Sequence, residues 1–410
     1  MKIKLGQAIR SLEKACTVLS VLWLTGGVDL QFLALIAYPT TVFFLLLRWK
    51  ETVWKSIQEQ FFWLFVGLLL LSVFWAADFN ESLYMSLKLI GTLLIGLSLG
   101  VRYSLKEQLQ ILAWAFGIAA ILSLFYGLVL PQRGIMTEGT LAGSWKGIYP
   151  HKNQFGRNMV FSTVVFVLQA MGSNRYRWLN CCGLIFSFAF IILSRSSTAL
   201  LVVLTLLALF PLYGALRWSY NWLIPFLSII VLMVGSLSLL VVSQLEYFFG
   251  TLGKDATLTG RIPLWEKVFT KIWERPWFGY GYGGFWTGWN GEAADIWLTE
   301  IWEPPHSHNG LLDIWLSVGL VGLILATLTF ILTLLRSLHY LRSTKSISGI
   351  WPLWYLTLLV LVNLTESTMD SRSITWAFYI AIVISTHRKT ISQYADLYKP
   401  RRRLKITPPN

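Results

Sequence analysis

The stretch "HSHNGLLDIWLSVGLVGLILATLTFILTLL", residues 306–335, places a short polar segment directly before a long apolar run. From Leu311 to Leu335 the chain has 25 residues and one charged side chain, Asp313. About 20 residues of apolar helix are enough to cross the hydrocarbon core of a bilayer. The stretch therefore predicts a membrane-spanning helix. We call the polar segment at the start of such a helix its mouth, and the apolar pattern does not explain the polar residues there.

Similar runs recur along all 410 residues of the chain, which is 55% hydrophobic and 13% charged, with a mean hydropathy of +0.59. A soluble protein of this size cannot bury so much apolar surface, and a backbone that meets lipid in such runs must be helical. We therefore predict an all-α, polytopic bundle of about twelve transmembrane helices. The predicted spans are 15–27, 30–47, 61–77, 83–100, 109–130, 154–171, 178–193, 198–213, 222–244, 309–335, 351–365 and 373–386.

The basic residues set the predicted orientation of this bundle. With the N-terminus inside, the cytoplasmic segments hold 22 Lys and Arg, whereas the short segments on the other side hold 6. Short loops rich in Lys and Arg stay in the cytoplasm, so we expect both termini there and the protein in the inner membrane. The net charge of +14 then reflects topology rather than nucleic-acid binding. We expect residues 1–388 to form one membrane domain with an uncleaved first span, and residues 389–410 a basic tail that contacts membrane lipids.

Two predicted non-cytoplasmic segments are long, 131–153 and 245–308. In the second, "RIPLWEKVFTKIWERPW" places apolar side chains at helical spacing opposite a charged face, which predicts an amphipathic helix on the outer membrane surface. The predicted apolar face consists of Trp265, Val268, Phe269, Ile272 and Trp273. The following "PWFGYGYGGFW" predicts a glycine- and aromatic-rich loop. It is not a phosphate loop, since no strand precedes it and no Lys-Ser/Thr follows.

The mouth of the 309–335 span carries His306, His308 and Asn309, with Asp313 one turn inside. Asn309 can accept hydrogen bonds from the first free amides of the helix, and Asp313 suits its first turn, so capping alone accounts for both. Capping does not account for the two histidines. A histidine near its ordinary pKa of about 6.5 is a natural general base for a hydroxyl. We predict no metal site, because no third ligand with suitable spacing accompanies His-x-His.

A second mouth of the same kind precedes the 154–171 span, where His151, Lys152 and Asn153 stand on the same predicted side of the membrane. Two polar helix mouths that face one compartment indicate the lining of a single cleft. The alternative is that each mouth is only an interfacial helix cap.

Three cations at the membrane boundary need explanation, because a charge there is costly. Arg195 lies in the short "SRSST" turn between two apolar runs, Arg261 opens the amphipathic helix, and Lys88 lies near the outer end of its span. A guanidinium binds phosphate oxygens in a bidentate way and keeps its charge, so both arginines are candidate anion ligands. The alternative is that they are interfacial surface charges. For Lys88, snorkelling toward water is the simpler account.

Four segments together carry a family resemblance: "PHKNQFG", "LSRSSTALL", "GRIPLWEKVFTKIWERPWFGYGYGGF" and "HSHNGLLDIWLSVGLVGLIL". They resemble the O-antigen ligase and Wzy-type polymerase superfamily, mainly over residues 145–330. The resemblance implies a GT-C-like fold and a glycosyltransferase that works outside the cytoplasmic membrane without metal or another cofactor. Such enzymes move a glycan from an undecaprenyl diphosphate carrier to a hydroxyl of another glycan or of a lipid core.

Carried onto this sequence, the family's two diphosphate-binding arginines correspond to Arg195 and Arg261, and the histidine of its long loop corresponds to His308. These three are the predicted catalytic residues. The secondary substrate-binding candidates, which the resemblance does not assign, are His151, Lys152, Asn153, Lys88, His306 and Asn309. The alternative function is a membrane transporter of a small anion such as bicarbonate. A transport path predicts broken helices and ionisable residues at mid-span, whereas most polar residues here lie at one predicted membrane face.

Overall fold

The computed structural model describes residues 2–172, 176–229, 261–298, 303–364, 366–368 and 373–397. Its main helices are α1 Lys2–Leu24, α2 Ala34–Leu46, α3 Trp49–Ser56, α4 Gln60–Leu71, α5 Phe79–Arg102, α6 Leu105–Val129, α7 Lys152–Gly172, α8 Arg177–Leu193, α9 Ser197–Ala215, α10 Arg261–Glu274, α11 Gly310–Ser343, α12 Trp351–Asn363 and α13 Ile374–Leu397. Residues 220–229 are also helical. Within these ranges β-structure is limited to one isolated bridge, between Ile135 and Trp145. The all-α prediction is therefore confirmed.

Helix is present at every predicted span that the described residues cover, although the ninth span is described only up to residue 229. By length and composition, five helical segments qualify as spans, and a bent pair makes a sixth. The five are Val28–Leu46, Phe79–Arg102, Leu105–Val129, Ser197–Ala215 and Gly310–Ser343, and the bent pair is Trp49–Ser56 with Gln60–Trp75. The chain is thus a multi-pass membrane protein. The number twelve and the GT-C-like arrangement remain predictions.

Close packing of α5 on α13 organises the centre of the bundle. A methyl group on Gly96 of α5 would lie 2.8 Å from the carbonyl oxygen of Ala377 on α13. Small residues at such crossings let helix backbones meet in lipid, where apolar burial between helices drives little association. Beside this crossing, Phe161 of α7 stacks with Trp351 of α12 and meets Phe378 of α13 edge-on. These contacts fix α7, α12 and α13, whose ends carry residues of the candidate site.

Ion pairs tie the helices together at the end of the bundle that we predict to be cytoplasmic. Glu13 of α1 binds Arg102 of α5. The buried Glu59, just before α4, binds Arg336 of α11 and His387 of α13. Buried carboxylates need such partners, so these pairs hold the far ends of the helices in register.

At the opposite end, the mouths of α7 and α9 lie beside the ends of α1 and α8. The Asn158 amide of α7 donates to the carbonyl of Thr25 (3.1 Å), which follows α1. The Trp145 N–H donates to the carbonyl of Leu193 (3.0 Å), the last residue of α8. The mouth of α11 packs on the end of α12, where Asn363 leaves Gly310 no room for a methyl group. Both predicted polar mouths therefore open at the same end of the bundle.

Helix α11 is broken at Val318 and Gly319, where Gly319 has φ +69° and ψ −171°. The loop 276–280 fills the break: the Leu320 N–H donates to the Pro276 carbonyl (2.8 Å), and the Tyr280 N–H donates to the Leu316 carbonyl (2.7 Å). An unpaired backbone group in lipid costs several kcal/mol, so a break there requires such partners. The glycine- and aromatic-rich loop thus completes the hydrogen-bond ladder of a predicted span.

The amphipathic helix is present as α10. Leu264, Val268 and Ile272 form a buried stripe that packs with the first turns of α11. Phe269 and Trp273, which also belong to the predicted apolar face, are 42% and 68% exposed. Exposed rings of this kind suit an interfacial position next to lipid. The position of α10 on the outer membrane surface remains a prediction.

Candidate active site

The polar mouth of α11 is a tightly hydrogen-bonded turn. The Asn309 side chain accepts hydrogen bonds from the Leu311 and Leu312 N–H groups (3.0 and 3.4 Å), which confirms the capping interpretation. Asp313 does more than favour the first helical turn. Its carboxylate is 5% exposed and accepts from the Ser307 N–H (3.1 Å), so it holds the turn itself in place.

Three indole N–H groups from the preceding loop bind this turn. Trp265 donates to the Ser307 carbonyl (2.9 Å), and Trp297 donates to the Pro304 carbonyl (3.1 Å). Trp286 donates to the carboxylate of Asp313 (3.2 Å). These bonds come from separate parts of the 261–298 segment, so the backbone around His306 and His308 is fixed from several directions.

Among the described residues other than glycine, two have a left-handed backbone conformation: Arg195 (φ +50°) and His308 (φ +55°). This conformation costs a residue other than glycine about 1–2 kcal/mol. Such residues concentrate at functional sites, where the surrounding structure maintains the strain. Both residues were candidates because of their chemistry, and the family resemblance implies that both are catalytic.

Glu366 lies between the two histidines of the turn. His308 Nδ1 is 3.5 Å and His306 Nε2 is 3.7 Å from the same carboxylate oxygen of Glu366. The sequence analysis missed Glu366. The available signal was weak: an acidic residue in "NLTEST", just beyond a predicted outer helix end. Only the packing of α12 against the mouth of α11 shows that this carboxylate meets the histidines.

The electrostatics favour a charged Glu366 beside a neutral His306. Burial raises the pKa of Glu366, but the adjacent His308, with His306 and Arg157, outweighs burial and shifts this pKa below its usual 4.5. Burial lowers the pKa of His306 below 6.5, an effect that Asp313 opposes and His308 reinforces. Near neutral pH the cluster therefore contains a carboxylate that can accept a hydrogen bond from His308.

His306, His308 and Glu366 also form the three-residue group that a metal ion would need, with ligand atoms within 4.8 Å of one another. The prediction that no third ligand accompanies the histidines was therefore wrong, because Glu366 lies within reach of both. The donor set fits a metal poorly, because His306 Nδ1 accepts the His308 N–H (3.1 Å). A neutral His306 must then carry its proton on Nε2, the atom that faces Glu366. A metal-bound histidine normally donates a proton from its other nitrogen, which this hydrogen bond prevents.

The mouth of α7 meets the Arg195 turn. Lys152 donates to the Arg195 carbonyl (3.2 Å), and His151 Nδ1 accepts the Asn153 N–H (3.2 Å), as His306 does from His308. A small cavity joins this mouth to Glu366. It is lined by Asn153, Arg157, Val160, Ser196, Thr198, Ala199, Val202, Val362 and Glu366. The cavity thus links the mouths of α7 and α9 to Glu366, whose carboxylate lies 3.5 Å from His308 Nδ1 in the other predicted polar mouth. A single cleft lined by both predicted mouths remains a prediction.

Arg157, inside the 154–171 span, is the second residue that the sequence analysis did not single out. It lines the cavity with Glu366 and contributes to the downward pKa shift of that carboxylate. An arginine within an apolar span was a detectable signal, since such charges normally have a function or a partner.

The remaining sequence candidates differ in their relation to this cluster. Arg195 Nη1 reaches the Ala142 carbonyl at 3.5 Å, at the edge of the cleft. Arg261 is the first residue of α10 and lies one helical turn before Trp265, the residue bound to the histidine turn. Lys88 places its ammonium 3.6 Å from the centroid of the Tyr84 ring, which fits the snorkelling account.

An apolar cavity of about 310 Å³ opens beside the mouth of α11. Its walls are Phe65, Gly310, Leu311, Ile314, Ala326, Thr327, Phe330, Leu359, Val360, Asn363, Leu364, Thr368, Thr375, Trp376 and Tyr379. These residues come from α4, α11, α12 and α13 and the segment after α12. One wall of the cavity is Gly310, two residues after His308. An apolar chain bound in the cavity would therefore come next to the histidine turn.

The cluster predicts that the folded protein loses stability in acid. His306 and His151 have folded pKa values below the unfolded value of about 6.5, mainly through burial. As pH falls through 6.5 the unfolded chain binds these protons first, so stability present above that pH is lost. We expect the unfolding temperature in detergent to fall from pH 7.5 to 5.5, and to fall less in His306→Asn, which keeps an acceptor for the His308 N–H. The matched control is His339→Asn, whose unfolding temperature should fall as much as that of the wild type. An equally large fall in His306→Asn would contradict this prediction.

Two comparisons with known proteins show similar sequences. The family model for O-antigen ligase matches residues 182–327, which include Arg195, Arg261 and His308. A relative, the exopolysaccharide production protein ExoQ of Rhizobium meliloti (strain 1021), is 24% identical over 286 residues. That match covers 66% of this chain and 63% of ExoQ, so the chain spans less than two thirds of the relative's length. Both matches agree with the resemblance to the O-antigen ligase and Wzy-type polymerase superfamily.

Proposed function

We propose that the protein transfers a glycan from a polyprenyl diphosphate carrier, undecaprenyl diphosphate in bacteria, to a sugar hydroxyl of an acceptor glycan or lipid core. The reaction takes place at the outer face of the cytoplasmic membrane and needs no metal. The family match supports a ligase or polymerase, and the relative's role in exopolysaccharide production supports polysaccharide as the product class.

One observation carries the proposal: Arg195 and His308 both have a strained left-handed backbone, and the cavity beside the Arg195 turn is lined by Glu366, which lies 3.5 Å from His308 Nδ1. Strain is maintained where a side chain must point in a direction that ordinary turns do not allow. The two side chains supply complementary chemistry, a permanent cation for a leaving diphosphate and an imidazole for an attacking hydroxyl.

In the proposed reaction His308 acts as the general base. With its Nδ1 proton directed toward Glu366, His308 Nε2 is left to accept the proton of the acceptor hydroxyl. The hydroxyl oxygen forms a bond to the anomeric carbon of the donor glycan. The bond from that carbon to the diphosphate oxygen breaks, and its electron pair leaves with the diphosphate. The products are the extended glycan, polyprenyl diphosphate and a proton on His308, which passes to water.

The arginines stabilise the negative charge that develops on the leaving diphosphate, usually a large part of catalysis. Arg195 lies beside the mouth of α7, and Arg261 lies at the start of α10, whose Trp265 contacts the histidine turn; these positions support the proposed role. The apolar cavity next to Gly310 provides room for the polyprenyl chain of the carrier. His151, Lys152, Asn153, His306 and Asn309 would border the bound substrates, with Asn309 acting chiefly as the helix cap.

The break in α11 is the one observation that favours a transporter, because transport sites often use broken helices. Its backbone groups, however, are bonded to the loop 276–280, so they offer little to an ion. The ionisable residues of the candidate site lie at the helix mouths rather than beside the break. The geometry therefore favours transfer chemistry at the membrane surface.

The arginines test the proposed function. Arg195→Gly removes the guanidinium and also relieves the left-handed strain, so it should fold at least as well as the wild type. We expect Arg195→Gly and Arg261→Ala each to lower glycan transfer at least 100-fold in cells that lack the native gene, with lipid-linked glycan accumulating. Arg48→Ala, an exposed arginine distant from the site, is the control. Full polysaccharide production by both variants, or solute uptake by vesicles independent of lipid-linked glycan, would overturn the proposal.

A further inference from the structure

An exposed aromatic platform extends from the histidine turn. Trp289 is 51% exposed and meets Trp297 edge-to-face, with ring centroids 5.4 Å apart. Trp297 is itself bound to the Pro304 carbonyl (3.1 Å), four residues before His308. Four residues of extended chain span at most about 14 Å, so Pro304, to which the platform is bound, lies within that distance of His308 along the chain.

The surroundings of Trp289 are those of a water-facing group rather than of a membrane anchor. Its indole N–H donates to the exposed Glu303 carboxylate (3.2 Å), and Asn290 beside it is exposed. Nearby, Glu292 pairs with Arg275 (3.1 Å). Charged carboxylates are costly in lipid, so this part of the loop belongs in water. Trp289 therefore presents an exposed indole surface to water.

We infer that Trp289, with Glu303, forms a glycan subsite that binds a sugar ring of the substrate next to the reacting hydroxyl; this inference rests on the proposed function. The face of an indole carries partial negative charge, which complements the C–H groups on one face of a pyranose. The Glu303 carboxylate has acceptor sites beyond the one that Trp289 uses, and these suit sugar hydroxyls. The indole face thus matches the apolar face of a sugar ring, and the Glu303 carboxylate matches the hydroxyl groups at its edge.

The subsite binds a part of the glycan that does not react, so it contributes to binding more than to the chemical step. Loss of an interaction that is equal in the ground state and the transition state raises KM and leaves kcat nearly unchanged. Trp289→Phe keeps an aromatic face without the N–H, whereas Trp289→Ala removes both. Trp273, 68% exposed on α10, is a matched tryptophan of the same loop outside the platform.

The test is glycan-transfer kinetics with the full-length protein in lipid nanodiscs, using glycan from the host. Trp289→Ala should raise KM about tenfold with kcat within twofold, Trp289→Phe should recover most of the loss, and Trp273→Ala should match the wild type. A KM within twofold of wild type in Trp289→Ala, or an equal effect in Trp273→Ala, would overturn the inference.

A binding measurement separates this inference from the proposed function. Oligosaccharides cut from the host's own surface polysaccharide by mild acid are titrated against wild type and Trp289→Ala, without any transfer. A Kd raised about tenfold in Trp289→Ala supports the subsite even if the wild type transfers no glycan, in which case only the proposed function fails. Equal Kd values together with active transfer would remove the subsite and leave the proposed function standing.

Discussion

His308→Asn is expected to lower glycan transfer about 1,000-fold, because a positioned general base contributes about 10²–10⁴-fold to such a step. Asparagine tolerates a left-handed backbone better than most residues, so the turn at φ +55° should survive the substitution. The variant therefore lacks the base while it keeps the fold. The measurement is the rate of glycan transfer in nanodiscs, alongside the unfolding temperature of each variant.

Two further variants make this result specific. His308→Gly relieves the backbone strain and removes the imidazole, so it should be as inactive as His308→Asn and at least as stable as the wild type. His339→Asn changes an exposed histidine toward the other end of the same helix and should keep full activity. Activity within tenfold of wild type in both His308 variants would exclude His308 as the base.

Gly319→Ala is expected to lower the free energy of unfolding by about 3 kcal/mol or more. A methyl group there would lie 2.0 Å from the Trp277 carbonyl oxygen, a backbone atom that cannot move freely. The conformation at φ +69° and ψ −171° is also essentially restricted to glycine, at a cost of about 1–3 kcal/mol for other residues. Because the loop 276–280 would be displaced from the break, the loop that holds the histidine turn should loosen and glycan transfer should fall as well.

Gly67→Ala is the matched control for this prediction. Gly67 lies within α4, another apolar helix, and a methyl group there meets no atom within 4 Å. Alanine should stabilise that helix by up to about 1 kcal/mol. Denaturant unfolding in detergent reports both changes. Gly319→Ala as stable as Gly67→Ala would show that the loop does not depend on the break.

The fold was predictable as far as hydropathy and helical periodicity reach. Apolar runs identify helices because their signal is local, and helix is present at every predicted span within the described ranges. The break in α11 was not predictable, since "LSVGL" contains no proline and reads as continuous apolar helix. Its cause lies about 40 residues earlier in the chain, in a loop whose backbone replaces the missing hydrogen bonds.

The candidate site was predictable in its residue types and incomplete in its contacts. Arg195 and His308 carry chemistry that an apolar environment makes conspicuous, so composition and spacing identified them. Glu366 and Arg157 became part of the site only because the ends of α12 and α7 meet the histidine turn and the α9 mouth. No local pattern encodes such a meeting. On α10 the sequence does not separate rings that suit contact with lipid from aliphatic residues that pack on α11, because both are apolar and lie at helical spacing.

We propose that the chain transfers glycan from a lipid diphosphate with His308 as the base. The most direct test reconstitutes the purified protein with lipid-linked glycan and acceptor, and counts the polyprenyl diphosphate released for each glycan transferred. We expect one release per transfer by the wild type and none above background by His308→Asn. Glycan transfer at the wild-type rate by His308→Asn, or transfer by the wild type without release of the diphosphate carrier, would contradict it.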